Sequence, residues 1–91
     1  MYTREVTIRN PSGLHARPAS EFTQCAKKFR SKIWISRAEL PEQTANAKSI
    51  LIVLSMTLTK GAQVILTADG EDAQEAVDTL AALIESGFGE V

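Results

Sequence analysis

The chain contains one histidine, His15, and one cysteine, Cys25, among its 91 residues. Chemistry that needs two histidines is excluded, and the thiol lies outside the segment that carries the imidazole. That segment reads Ser12-Gly13-Leu14-His15-Ala16-Arg17-Pro18-Ala19. Gly13 can take backbone angles closed to other residues, and Pro18 is tolerated only in the first turn of a helix. Together they predict a helix start between Ala16 and Pro18, with His15 at or just before its N-cap, although a residue preceding proline leaves the conformation of Arg17 open.

A helix start presents backbone N–H groups without partners and the positive end of the helix dipole, which favours an anion by ~0.3–1 kcal/mol and by up to about 2 kcal/mol when partly buried. The nucleophilic form of a histidine is the neutral imidazole. Such an imidazole can attack phosphorus and hold a phosphoryl group covalently. Arg17 can donate to its oxygens. Every ~1.4 kcal/mol of extra stabilisation shifts a transfer equilibrium tenfold, so a modest site with one arginine suits a group that is to be passed on. The spacing also allows a plainer reading, with His15 a solvent-facing cap and Arg17 a surface charge. Zinc needs at least three protein ligands, and nothing marks a nucleophilic serine for a Ser-His-acid triad. Cys25 is expected as a buried helix residue.

The elements that position His15 follow from periodicity. Residues 4–8 alternate, with Val6 and Ile8 inward, as a half-buried strand requires; residues 10–13 form a turn. Ala19, Phe22, Ala26 and Phe29 recur at helical spacing over about a dozen residues, with Glu21, Gln24, Lys27 and Lys28 on the outer face. Ile33 and Ile35 mark a second strand with Trp34 opposite, residues 37–42 a loop, residues 43–46 a short third strand, and residues 48–58 a second helix. After the Lys60-Gly61 turn, residues 63–68 form a strand with Val64 and Leu66 inward. Asp72 and Glu75 have the form of an N-cap with its reciprocal partner. Behind them Ala73, Ala76, Val77, Leu80, Leu83 and Ile84 make an apolar stripe that Gly87 stops. The order is β-α-β-β-α-β-α, which suggests one sheet with its helices on one face.

The second helix is apolar almost all round: Ile50, Leu51, Ile52, Val53, Leu54, Met56 and Leu58. A short helix on a one-sheet domain turns only one side to the core, so some of these side chains should be exposed as a docking patch for another protein; a strand or a fully buried helix is the alternative. Ser49 is expected as its N-cap.

With ten basic against eleven acidic residues the net charge is −1, which favours neither nucleic acid nor an anionic membrane as partner. The longest apolar run, residues 50–54, is far too short to span a bilayer, so no membrane insertion is expected. The N-terminus lacks the pattern of a signal peptide, and a lone cysteine fits a reducing cytoplasm. The length suits one domain, residues 1–91.

Taken together, Glu5-Val6-Thr7-Ile8, Gly13-Leu14-His15-Ala16-Arg17-Pro18-Ala19, Ala47-Lys48-Ser49, Lys60-Gly61 and Gly70-Glu71-Asp72 leading into Ala76-Val77 resemble the HPr family. These are the histidine-containing phosphocarriers of the bacterial phosphoenolpyruvate-dependent phosphotransferase system. The resemblance implies an α+β fold, an open-faced β-sandwich with a four-stranded antiparallel sheet and three helices on one face. It implies a non-enzymatic carrier without cofactor or metal: His15 accepts a phosphoryl group on Nδ1 from phosphorylated enzyme I and passes it to an enzyme IIA domain, with Arg17 assisting. The partner surface carries over to Ile50, Leu51 and Leu54, and to Ser20, Gln24 and Lys27 on the first helix. Ser49 matches a serine that HPr kinase/phosphorylase modifies in some bacterial lineages, and the protein is expected to be a cytoplasmic monomer.

Three departures bear on the branch. Thr57 stands where many sugar-branch proteins have a glycine that closes the short helix, and the 37–43 loop is longer than usual. The tail Ile84-Glu85-Ser86-Gly87-Phe88-Gly89-Glu90 is similar to that of the nitrogen-branch paralogue NPr, whereas the first helix and residues 69–77 are closer to the sugar branch. The expectation is a sugar-branch carrier, with a nitrogen-branch regulator as alternative within the family and a non-catalytic α/β interaction module as alternative outside it.

Overall fold

The computed structural model describes residues 1–90. Its sheet has the order β1-β4-β2-β3 and is antiparallel throughout, built from β1 (Tyr2–Thr7), β2 (Lys32–Arg37), β3 (Ala45–Asn46) and β4 (Gln63–Asp69). Three helices, α1 (Ala16–Ala26), α2 (Ile50–Ser55) and α3 (Ala73–Glu85), complete the open-faced β-sandwich, followed by a 3₁₀ turn at Gly87–Gly89.

Strand alternation decides what the sheet buries. Val6 pairs with Val64 across β1 and β4, and Ile35 with Leu66 across β2 and β4, so these side chains and Ile33 face the helices and leave the solvent. Against them pack Ala19, Phe22 and Ala26 of α1 and the Ala73–Ile84 stripe of α3. Each large side chain fully buried there contributes about 1.5–3 kcal/mol. Trp34 lies half-buried on the opposite face, as its place in the alternation predicts.

Several boundaries differ from expectation. Ile8 lies beyond the end of β1 but stays fully buried, because its N–H and C=O pair with Ala62 and Gly61 instead of a strand neighbour. The third strand is only Ala45–Asn46. α2 is shorter than residues 48–58 because Thr57 turns to φ +52°, leaving Leu58 outside the helix but buried. Leu83 is half-buried at the margin of the α3 stripe. Cys25 is half-buried instead of buried, and desolvation pushes its thiol above the ordinary value, which disfavours the reactive thiolate.

The capping expectation for α3 is corrected. Asp72 occupies the N-cap position but its carboxylate makes no cap to its own helix. Instead it accepts from Arg30 N at 2.9 Å, from Ser31 N at 3.0 Å and from Ser31 Oγ. Those donors leave the end of α1 and the start of β2, so the carboxylate ties three elements together rather than finishing one.

Candidate functional site

The turn ahead of His15 is fastened on three sides. Gly13 takes φ +63°, and a Cβ at this position would collide with the Leu58 carbonyl; its N–H donates to Asn10 O at 3.1 Å. Leu14, fully buried, donates its N–H to Leu58 O at 2.9 Å. The Asn10 amide donates to Gly13 O at 2.9 Å and to Glu90 Oε1 at 3.0 Å, and Ser12 donates to Glu90 through its N–H at 3.1 Å and its hydroxyl at 3.0 Å. These bonds, Asn10 above all, hold the Glu90 carboxyl below its ordinary value.

His15 then takes the N-cap position in extended backbone, φ −128° and ψ 159°, with no hydrogen bond from its side chain to the helix. The ring is half-exposed. The N–H groups of Ala16 and Arg17 have no intrahelical acceptors, and Pro18 has none to offer; they and the helix dipole make the anion-favouring end that the sequence predicts. Ala16 has φ +52°, a left-handed conformation that costs a residue with a Cβ about 1–2 kcal/mol. That strain sits between His15 and Arg17, where the fastened turn on one side and the buried Pro18 and Ala19 on the other hold it in place.

Arg17 is 74% exposed and its Nε lies 3.4 Å from Glu21 Oε1. It also feels Glu90, whose carboxyl it helps to keep charged. The Arg17–Glu21 contact is a solvated ion pair worth at most ~1 kcal/mol, weak enough to give way to an anion that offers the guanidinium more.

Of the other residues predicted for the site, Gln24 Nε2 donates to Ser20 Oγ at 3.1 Å on α1, and Lys27 is exposed at its C-cap. Ser49 caps α2, its Oγ accepting from Ile52 N at 3.4 Å. Val53 faces the core, Leu51 is 78% exposed and Ile50 and Leu54 are half-buried, so α2, packed beside α1, turns an apolar surface outward. Ile52, 43% exposed, joins that surface; it belongs to the apolar run expected to be partly exposed but not to the three residues the resemblance implies. Asn10 and Glu90 were also missed, since no local pattern links residues so far apart in the chain. Among the described residues no cluster of His, Cys, Asp and Glu could hold a metal ion, and no helix is long and apolar enough to cross a membrane.

A lone imidazole at an uncapped helix start, on an antiparallel open-faced sandwich, defines the histidine phosphocarrier class. Residues 2–86 match the family model described as the PTS HPr component phosphorylation site. The chain is 43% identical to the phosphocarrier protein HPr of Cupriavidus necator over 99% of its own length and 98% of that protein's. It superposes on the crystal structure of an HPr from Thermoanaerobacter tengcongensis with a TM-score of 0.93 at 44% identity, covering 100% of this chain and 99% of that one. It also matches the multiphosphoryl transfer protein of Haemophilus influenzae at 38% identity, there spanning 17% of that protein's length. The chain belongs to the HPr family of phosphocarriers.

Proposed function

We propose that this chain is a single-domain carrier of the sugar phosphotransferase system, taking a phosphoryl group from phosphorylated enzyme I and delivering it to enzyme IIA domains in the cytoplasm. The Nδ1 lone pair of His15 attacks phosphorus, the new N–P bond forms as the bond to the donor breaks, and the same exchange in reverse hands the group to the acceptor. The first-turn N–H groups and the helix dipole receive the developing charge. Arg17 leaves Glu21 to donate to the phosphoryl oxygens.

The observation that carries this reading is the uncapped helix start at a half-exposed His15. α2 supplies the partner surface through Ile50, Leu51 and Leu54, with Ser20, Gln24 and Lys27 beside it. A carrier must show His15 and α2 to its partners together, which argues for a monomer. Ser49 is a site for HPr kinase/phosphorylase: a phosphate there would bring about two negative charges to the start of α2 and alter docking.

The test is incubation with phosphoenolpyruvate and enzyme I, followed by intact-mass measurement. The wild type should gain one phosphoryl group and His15→Ala none. An unmodified wild type with either branch's enzyme I would defeat the carrier reading, and a strong rate preference for the nitrogen-branch form would move the chain to that branch.

A further inference from the structure

Far from the His15 loop in the chain, β2 and the β3 edge enclose a cavity of about 270 Å³ lined by Arg30, Lys32, Trp34, Asn46 and Lys48 together with Ser31 and Ile33. Lys32 and Trp34 stand on one face of β2 by strand alternation; Asn46 is the cross-strand partner of Trp34, and Lys48 follows it at the end of the strand. The surface that lines it is mostly apolar, and no carboxylate side chain is part of it. Ser31 Oγ is committed to Asp72, and Asn46 Oδ1 accepts from Lys48 N at 2.9 Å, which leaves the Asn46 amide, the Trp34 indole N–H and three cations to face a ligand.

None of these cations makes an ion pair among the described residues; the ion pairs found belong to Arg4, Arg17 and Arg37. Lys48 Nζ donates to Phe29 O at 2.7 Å, which fixes the ammonium in place with two N–H groups to spare. Asp72 is engaged by Arg30 N and Ser31, and Asp69 sits opposite Lys32 in the ladder without an ion pair to it. In a chain of net charge −1, three cations without an ion pair stand around one hollow. Cations around a mainly apolar hollow suit a ligand with an anionic end and an apolar body, and the half-exposed indole offers a flat face for stacking a ring.

We infer that this cavity binds a nucleoside phosphate, its base on Trp34 and its phosphates on Arg30, Lys32 and Lys48. The volume admits one base and leaves the phosphates at the cationic rim. The lining residues do not include His15 or Arg17, so binding there would let the chain report on nucleotide supply without occupying His15.

The test is a titration of the isotope-labelled protein with ADP, adenosine and ribose 5-phosphate, followed by NMR at the Trp34 indole N–H. ADP should shift that signal and the Lys32 and Lys48 amides to saturation. Stacking of a base is worth about 1–3 kcal/mol, so Trp34→Ala should weaken ADP roughly 5- to 150-fold, with phosphotransfer through His15 retained. Lys32→Gln should weaken ADP, reduce the salt dependence of binding and leave adenosine unaffected. The inference is overturned if the shifts do not saturate, if they fall on residues 12–20 instead, if Trp34→Ala binds ADP as the wild type does, or if ribose 5-phosphate equals ADP.

Discussion

Glu90 Oε1 accepts a hydrogen bond from Asn10 Nδ2 at 3.0 Å, joining the end of the described chain to the turn that precedes His15. The same carboxylate takes both the N–H and the hydroxyl of Ser12. A charged acceptor on three donors is strong only while it is charged.

That dependence sets a pH profile. The folded-state Glu90 carboxyl lies below its ordinary value of 4.5, chiefly through Asn10, so its contribution to stability is fully present above that value and disappears as pH falls through the lower folded one. Thermal melts should show the wild type above Glu90→Gln at neutral pH, with the gap closing only below about pH 4.5. A gap that is independent of pH would mean the carboxylate's charge is not what fastens the turn.

Thr57 has φ +52° at the end of α2, a conformation that costs a β-branched residue about 1–2 kcal/mol. Glycine adopts it freely but loses more freedom on folding, roughly 0.5–1 kcal/mol. The balance favours Thr57→Gly by on the order of 0.5 kcal/mol, or about 2–4 °C in Tm for a domain of this size. Calorimetry of the two proteins checks the sign; a lower Tm in the variant would show that contacts of the threonine outweigh its strain.

What was legible in the residues is what depends on near neighbours. Val6, Ile33, Ile35, Val64 and Leu66 betray their strands because a sheet with one covered face forces alternation, and the stripe from Ala73 to Ile84 betrays α3 for the same reason at helical period. The place of His15 and Arg17 at the start of α1 was legible because Gly13 and Pro18 bracket them. What escaped depends on the rest of the molecule. Ala16 and Thr57 take left-handed backbone without the glycine that would signal it, because packing on either side imposes the angle. Glu90 finds Asn10 only after the sheet has closed. Asp72 carries a capping pattern that tertiary structure overrides, since Arg30 and Ser31 bring it three donors where its own helix would bring one or two.

The Asp72 arrangement makes two carboxylates of one apparent capping pair behave differently. Hydrogen bonds from Ser31 and Arg30 hold the Asp72 carboxyl below its ordinary value of 3.8, whereas Glu75 is exposed on the first turn of α3. Asp72→Ala should lower Tm clearly at neutral pH, with the loss shrinking as the wild type is acidified through its folded-state value; Glu75→Ala should change Tm little. Equal effects of the two substitutions would restore the reciprocal cap and count against the tie between α1, β2 and α3.

Leu51 and Val53 lie two residues apart on α2 with opposite surroundings, one 78% exposed and the other fully buried. An exposed leucine adds nothing to the core, so Leu51→Glu should leave stability within about 0.5 kcal/mol of the wild type, while Val53→Glu would bury an unpaired charge and prevent folding. If α2 is where donor and acceptor proteins dock, Leu51 is its most exposed apolar anchor, and replacing it by a charge should cost at least ~1.4 kcal/mol at the interface, a tenfold slower transfer from enzyme I. Rapid-quench phosphotransfer and circular dichroism on the same samples separate the two effects. Transfer at the wild-type rate by a folded Leu51→Glu would remove α2 from the docking surface and leave partner recognition to α1 and the His15 turn.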